Sequence, residues 1–301
     1  MAARPLLLCP IDFSSASRGA LRHALAIANH FSTRLLLLTV DDPILEAAAN
    51  AKLGAGSSRR NSERELRLFL AETLGPNPSP KDVEFEVATG KPAVETLRVA
   101  GERKCAAIVM STHGRAGPRK LFFGSTAERV LRETTVPVLL TPAADGGAIS
   151  IDALTRSGAP VLVPVDLSGA SARQLETART IAAVLKLPLL LAHIVEPLHP
   201  PVELDLPELT AERRLRARVA IAALTNATPL STPRDSVIEV GDAAGAIACL
   251  ARDRHAGLIV IGLHGSPALG PRMGSVTYRV LCQAPVLTLA LPPEWNPSGF
   301  N

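Results

Sequence analysis

Between Ser111 and Thr126 the chain reads S-T-H-G-R-A-G-P-R-K-L-F-F-G-S-T, a mixture of glycine, cation and hydroxyl suited to holding an anion. Gly114 and Gly124 let backbone N–H groups approach a phosphate with no Cβ in the way, and Ser125 or Thr126 can cap a helix starting there. A helix N-terminus presents unpaired donors and positive partial charge, which favours phosphate. An apolar run, Ala106 to Met110, precedes the stretch, and A-E-R-V-L-R follows it with helical character. Alone, a glycine-containing link between strand and helix is a turn more often than a nucleotide site. A second copy raises its weight: Gly262 to Val276 reads G-L-H-G-S-P-A-L-G-P-R-M-G-S-V, again between an apolar run and a helix-like T-Y-R-V-L.

The elements that must carry these loops follow from hydrophobic patterning. Short apolar runs at Leu6 to Ile11, Leu35 to Val40, Ala106 to Met110 and Val138 to Thr141 suit strands buried on both faces, and Val83 to Ala88 alternates as a strand does. Leu21, Ala24, Leu25 and Ala28 recur at helical spacing behind a Ser14 or Ser15 cap, and Ala93 to Arg103 is a further helix. Asp42-Pro43 is a helix-start signal, Ala47 to Arg60 reads as a loop, and an arginine-rich helix on Leu66, Phe69, Leu70 and Leu74 ends at Pro76, Pro78 and Pro80. Strands separated by helices call for an α/β fold, a doubly wound parallel sheet of five strands with helices on both faces.

The second half repeats the first. Pro10-Ile11-Asp12-Phe13-Ser14 returns as Pro164-Val165-Asp166-Leu167-Ser168, and Leu35 to Pro43 returns as Leu189 to Pro197 at the same offset. His113-Gly114 falls on His264-Gly265, after which the second copy loses one residue in its loop and two more before Pro285. The reading is two tandem doubly wound domains, residues 1–145 and 158–293, with Ala143 to Gly158 as linker.

Composition narrows the function classes. With 301 residues, 47% hydrophobic and 20% charged, the chain has room for two ordinary cores. A net charge of +4 spread over this length, with 3% aromatic residues, argues against nucleic acid as a partner. No apolar run approaches the roughly 18 residues that span a bilayer, and Met1 to Pro5 lacks a signal-peptide layout, so the expectation is a cytoplasmic protein. Cys9, Cys105, Cys249 and Cys282 are scattered singly, which predicts buried thiols rather than a zinc site or disulfide framework.

In an open parallel sheet, ligands bind outside the carboxyl ends of the strands where strand order reverses. Asp12, Val40 and Ser111 to Arg115 lie at three such ends, although Asp12 and Asp166 serve equally well as caps of the helices that follow them. Asp41, Asp42 and Glu196 offer carboxylates to magnesium, but loop acids and caps are the commoner role. The repeated His113 and His264 read as hydrogen-bonding turn residues, and His23, His30, His193, His199 and His255 show no metal-ligand spacing. There is no G-x-S-x-G elbow and no G-x-x-x-x-G-K-[ST] loop, nor the H-x-G-H or S-G-G-x-D-S of adenylyl-transferring enzymes, so no catalytic residue is assigned.

Taken together, these residues resemble universal stress protein domains, in tandem over nearly all of the chain. The resemblance implies an adenine-nucleotide-binding α/β fold, related to that of the adenine nucleotide alpha hydrolases. The family motif is Gly, two residues, Gly, nine residues, Gly, then Ser or Thr. The first copy has Ser111 in place of the first glycine, then Gly114, nine residues, and Gly124-Ser125; the second has Gly262, Gly265 and Gly274-Ser275, with eight residues between. By resemblance, Pro10, Asp12, Val40, Met110, Ser111, His113, Gly114, Arg115, Gly124, Ser125 and Thr126 would hold the nucleotide. In the second copy the set is Asp166, Ile194, Ile261, Gly262, Gly265, Gly274, Ser275 and Val276. ATP, with magnesium on its phosphates, is expected in the first copy, whose loop keeps Arg115, Arg119 and Lys120; AMP or ADP fits the same chemistry. The second loop keeps only Arg272 and is expected to be degenerate.

The implied role is a stress-response regulator. One alternative is a nucleotide-independent scaffold or carrier for an apolar ligand or protein partner, and another is a slow ATPase switch. By the same resemblance, Val138 to Thr141 and Val286 to Leu291 would pair the two domains as an intrachain pseudo-dimer, with a homodimer of whole chains as the next level of assembly.

Overall fold

The computed structural model describes residues 4–75, 82–112, 124–142, 151–198, 206–227, 234–263, 273–293 and 295. The chain forms two compact units, with the boundary between Ile151 and Asp152.

In the first unit, β1 (Leu6–Pro10), β2 (Arg34–Asp41), β3 (Val83–Thr89), β4 (Ala107–Ser111) and β5 (Val138–Thr141) form a sheet of order β3-β2-β1-β4-β5, every neighbouring pair parallel. Leu35 to Leu38 are each wholly buried. Such a run has no solvent face, which is why the strands read as continuous rather than alternating. Helices α1 (Ser15–Phe31), α2 (Pro43–Leu53), α3 (Ser57–Leu74), α4 (Pro92–Glu102) and α5 (Ser125–Glu133) supply the connections. Ser14 caps α1 by accepting from Ser17 N at 3.1 Å, and Asp42 caps α2 by accepting from Ile44 N at 2.8 Å. On the edge strand β3, Glu84 pairs with Arg34 and Arg103, and Arg103 also reaches Glu86 at 2.7 Å. Partial burial pushes the Glu84 carboxyl up, but the two guanidinium hydrogen bonds outweigh it and hold it below the ordinary range. This charge lattice suits an edge strand, where exposed backbone groups invite unwanted pairing.

The second unit repeats the plan with α6 (Ile151–Ser157), β6 (Val161–Pro164), α7 (Ser171–Leu185), β7 (Leu189–Val195), α8 (Leu206–Ala227), β8 (Arg234–Val240), α9 (Ala243–Asp253), β9 (Leu258–Gly262), α10 (Ser275–Gln283) and β10 (Leu287–Leu291). Its parallel order is β10-β9-β6-β7-β8. The fold is the α/β, doubly wound arrangement expected for each half.

Three local expectations are corrected. Ala47 to Arg60 is not a loop: Asp42, Pro43 and a run of alanines carry α2 to Leu53, and α3 starts at Ser57 after Gly54 and Gly56, both at positive φ. Of the expected linker, 151–157 is helical, and Leu154 packs so closely over Gly257 that a Cβ there would lie 2.6 Å from Leu154 Cδ2. Only Cys9 and Cys105 are buried; Cys249 is exposed because it lies off the apolar face of α9, and Cys282 on α10 is half-buried. Burial raises the thiols of Cys9 and Cys105, the latter to about 11, so neither is a reactive thiolate.

His23 on α1 is 6% exposed and donates Nδ1–H to Gly19 O at 2.8 Å. Burial holds its pKa below 6.5, outweighing that carbonyl bond, which favours the cation. The unfolded chain therefore takes up a proton that the fold resists, so stability is fully present above about pH 6.5 and is lost as pH falls toward the lowered value. Urea unfolding monitored from about pH 8 to about pH 5 is expected to show this acid limb, and His23→Met to lack it. An unchanged limb in a folded variant would assign it to other groups.

Candidate functional site

The site originates where strand order reverses. β6 and β9 pair only at Val161↔Leu258 and Leu162↔Ile259, then part before their carboxyl ends at Pro164 and Gly262; β1 and β4 do the same after Leu8↔Ile108. Their connections leave on different strands' terms, and the gap opens into a crevice. In the second unit this is a cleft of about 460 Å³, within the ordinary range for small-molecule sites. Its walls include Asp166, Ile194, Ile261, Gly262, Gly274, Ser275 and Val276, all but one of the residues expected for this copy. The exception, Gly265, lies outside the described residues.

Asp166 is held by a turn of its own making. Its Oδ1 accepts from Ser168 N at 2.9 Å and from Ser171 Oγ at 3.0 Å, with Leu167 between them at φ 61°. The first copy matches: Asp12 Oδ1 accepts from Ser14 N at 3.0 Å and Ser14 Oγ at 2.6 Å across Phe13 at φ 62°. A left-handed residue with a large side chain is uncommon, and here the Asx-type hydrogen bonds compensate it in both copies. Partial burial pushes the Asp166 carboxyl up, but the hydrogen bonds from Ser168 and Ser171 prevail and keep it below the usual range. It is an anionic acceptor at neutral pH.

The helix starts differ from the expectation in their caps. Gly124 and Gly274, not the serines, occupy the cap positions of α5 and α10, and neither helix has a side-chain cap. The cap is the residue just before the helix, and in both copies that residue is a glycine with no side chain to accept from the first-turn amides. Gly124 N donates to Thr112 O at 3.1 Å and Gly274 N to Leu263 O at 3.2 Å, so each loop is closed at its base by its own backbone. The next amides, Ser275 and Val276 in one copy and Ser125 and Thr126 in the other, fall in the first turn, where no intrahelical acceptor exists. Both cap glycines have ordinary extended backbone, φ −63° and −60°, so freedom from a side chain rather than unusual torsion is what glycine contributes. Likewise Ser111 ends β4 without positive φ, so serine in place of the motif's first glycine costs no backbone strain.

In the first unit, Pro10, Val40, Met110 and Ser111 lie on the adjacent strands β1, β2 and β4, each the last or last but one residue of its strand, with Asp12 just beyond β1. His113, Gly114 and Arg115 lie outside the described residues. Asp41 accepts from Ser58 and Ser62 hydroxyls, at 3.2 and 2.8 Å, and Asp42 is the α2 cap. Among the described residues, no three His, Cys, Asp or Glu side chains are grouped to hold a metal.

Several walls of the second cleft were invisible to the sequence reading. Gln174, 9% exposed, donates from Nε2 to Pro164 O at 2.7 Å and to Val260 O at 2.9 Å, bridging β6 and β9 where they part. His193 presents Nδ1 to Val165 O at 2.9 Å; a carbonyl can only accept, so Nδ1 carries the proton. Arg173 and Arg213 add two cations, the latter donating to Glu196 O at 2.6 Å, and Trp295 adds a ring. The corresponding first-copy residues to Arg173, Gln174 and His193 are Gly19, Ala20 and Thr39, so a search for what recurs passes over them. Chemically, the cleft combines a fixed carboxylate, orphan amides, two guanidiniums and apolar walls from Ile194 and Ile261.

The sequence matches the model of the universal stress protein family twice, at residues 6–142 and 159–292. It is 29% identical over 136 residues to Universal stress protein MJ0531 of Methanocaldococcus jannaschii, covering 44% of this chain and 79% of that protein. A universal stress protein from Archaeoglobus fulgidus aligns over 95% of this chain and 96% of its own with a TM-score of 0.61 at 21% identity. Protein PA1789 from Pseudomonas aeruginosa aligns over 97% and 94% with a TM-score of 0.64 at 20% identity. Each half of the chain carries the family's match on five parallel strands of the same internal order, and the chain belongs to the universal stress protein family as a tandem of two such domains.

Proposed function

We propose that this protein binds an adenine nucleotide, ATP or its di- and monophosphate relatives, and serves as a nucleotide-responsive regulator in the stress response. The observation that carries the reading is the convergence, in one cleft, of Asp166, Gly262 and the uncapped start of α10 at Gly274-Ser275-Val276. In this reading the carboxylate accepts from ribose hydroxyls, the first-turn amides take phosphate, and Ile194 and Ile261 flank the base. Magnesium would arrive on the phosphates rather than on a carboxylate cluster. The first domain offers the same plan through Asp12, Val40, Met110 and Gly124-Ser125-Thr126, with its cations in the loop.

Arg173 and Arg213 change the weighting between the domains. The expectation of a degenerate second copy rests on its loop, one residue shorter and with one cation instead of three, and these two residues supply charge to the cleft from α7 and α8 instead. We therefore assign binding to both domains.

Nucleotide released from the denatured purified protein, together with calorimetric titration of stripped protein, tests the reading. Bound adenine nucleotide or a saturable isotherm is expected; neither, with no thermal shift on adding ATP, would favour the scaffold alternative. Gly124→Val and Gly274→Val are each expected to remove one site while leaving the fold, because the cap backbone tolerates a side chain and the phosphate approach does not. Asp166→Ala is expected to weaken the second site by about 10- to 100-fold, the usual loss for hydrogen bonds to a charged group. Unchanged isotherms in these folded variants would place the nucleotide elsewhere.

A further inference from the structure

Trp295 is the chain's only tryptophan, in a sequence with 3% aromatic residues. It lies beyond the last strand, yet it lines the second-domain cleft together with Leu291, Pro292 and Pro293. Its backbone N donates to Pro292 O at 3.1 Å, which turns the chain back toward the cleft immediately after β10. Prolines at 292 and 293 each fix φ, so the turn is restricted before anything binds. Trp295 as a residue is half-buried, with its indole nitrogen shielded from solvent. After β5 the first domain continues Pro142-Ala143-Ala144-Asp145, with no aromatic residue at the matching place.

We propose that Trp295 is an aromatic wall of the second-domain cleft against which the planar ring of the ligand packs, a ring-recognition element that the first domain lacks. This rests on the nucleotide reading above. A half-buried indole on the wall of a preformed cleft gains from a flat aromatic partner through dispersion and offset stacking, at small entropic cost because the side chain has two rotatable bonds and the turn beneath it is restricted. The ligand class is a heteroaromatic ring, with a purine fitting the remainder of the cleft.

The single tryptophan makes the test direct. AMP, ATP and ribose 5-phosphate are titrated into the stripped full-length protein, reading indole emission and, separately, heat. Emission is expected to change saturably with AMP and ATP, with the calorimetric midpoint of the second-domain site, and to stay constant with ribose 5-phosphate, which has no aromatic ring. Trp295→Ala is expected to bind AMP about 10-fold more weakly at that site, and Trp295→Phe to retain most of the affinity. Heat of binding with silent emission, and an isotherm unchanged in Trp295→Ala, would overturn the inference while leaving nucleotide binding intact. No heat with any nucleotide would overturn both.

Discussion

Everything in the candidate site depends on one geometric constraint, the parting of two neighbouring parallel strands. β6 and β9 share backbone hydrogen bonds only at their amino ends, because the chain proceeds outward from β6 in one direction and from β9 in the other. A parallel sheet built this way must leave a gap at the carboxyl ends, with carbonyls there deprived of strand partners. In the second domain Gln174 answers two of those carbonyls from below, at Pro164 and Val260. In the first domain the matching residue is the wholly buried Ala20, which can make no such bridge. The two copies therefore share an architecture and differ in how its obligatory gap is furnished.

That difference extends along the cleft wall. Gly19, Ala20 and Thr39 give way to Arg173, Gln174 and His193, so polar and cationic groups enter the second site from its helices and from β7. In sequence the glycine-bounded loops diverge in the opposite sense, with three cations between Gly114 and Gly124 and one between Gly265 and Gly274. Among the described residues, Arg173 and Arg213 bring two cations to the second cleft. Two domains of one family can in this way share a fold and differ in the side chains around the same strand ends.

The fold was readable because buried parallel strands and amphipathic helices have different periods, and because a duplicated sequence checks itself. Leu35 to Val40 and Leu189 to Ile194 identify the same strand twice, and both are strands. Ala47 to Arg60 misled because its composition suggested a loop, whereas alanine is the best helix former and Asp42 supplied the start. At the site, the repeat exposed what the copies share, Asp12 with Asp166 and Gly124 with Gly274. It concealed Gln174, Arg173 and Trp295, which acquire meaning only when helices and the turn after β10 are folded over the strand ends. No local spacing in the sequence brings Trp295 to the cleft that Gly262 also lines.

The central claim is that the strand-end cleft of the second domain holds the nucleotide. Amide hydrogen exchange in the presence and absence of saturating ATP tests it most directly. The account predicts slowed exchange at the first-turn amides Ser275 to Thr277 and in the segment from Asp166 to Gln174, both of which contribute to the cleft lining. Saturating ATP that leaves both segments unprotected, while slowing exchange elsewhere in the domain or nowhere, would contradict it.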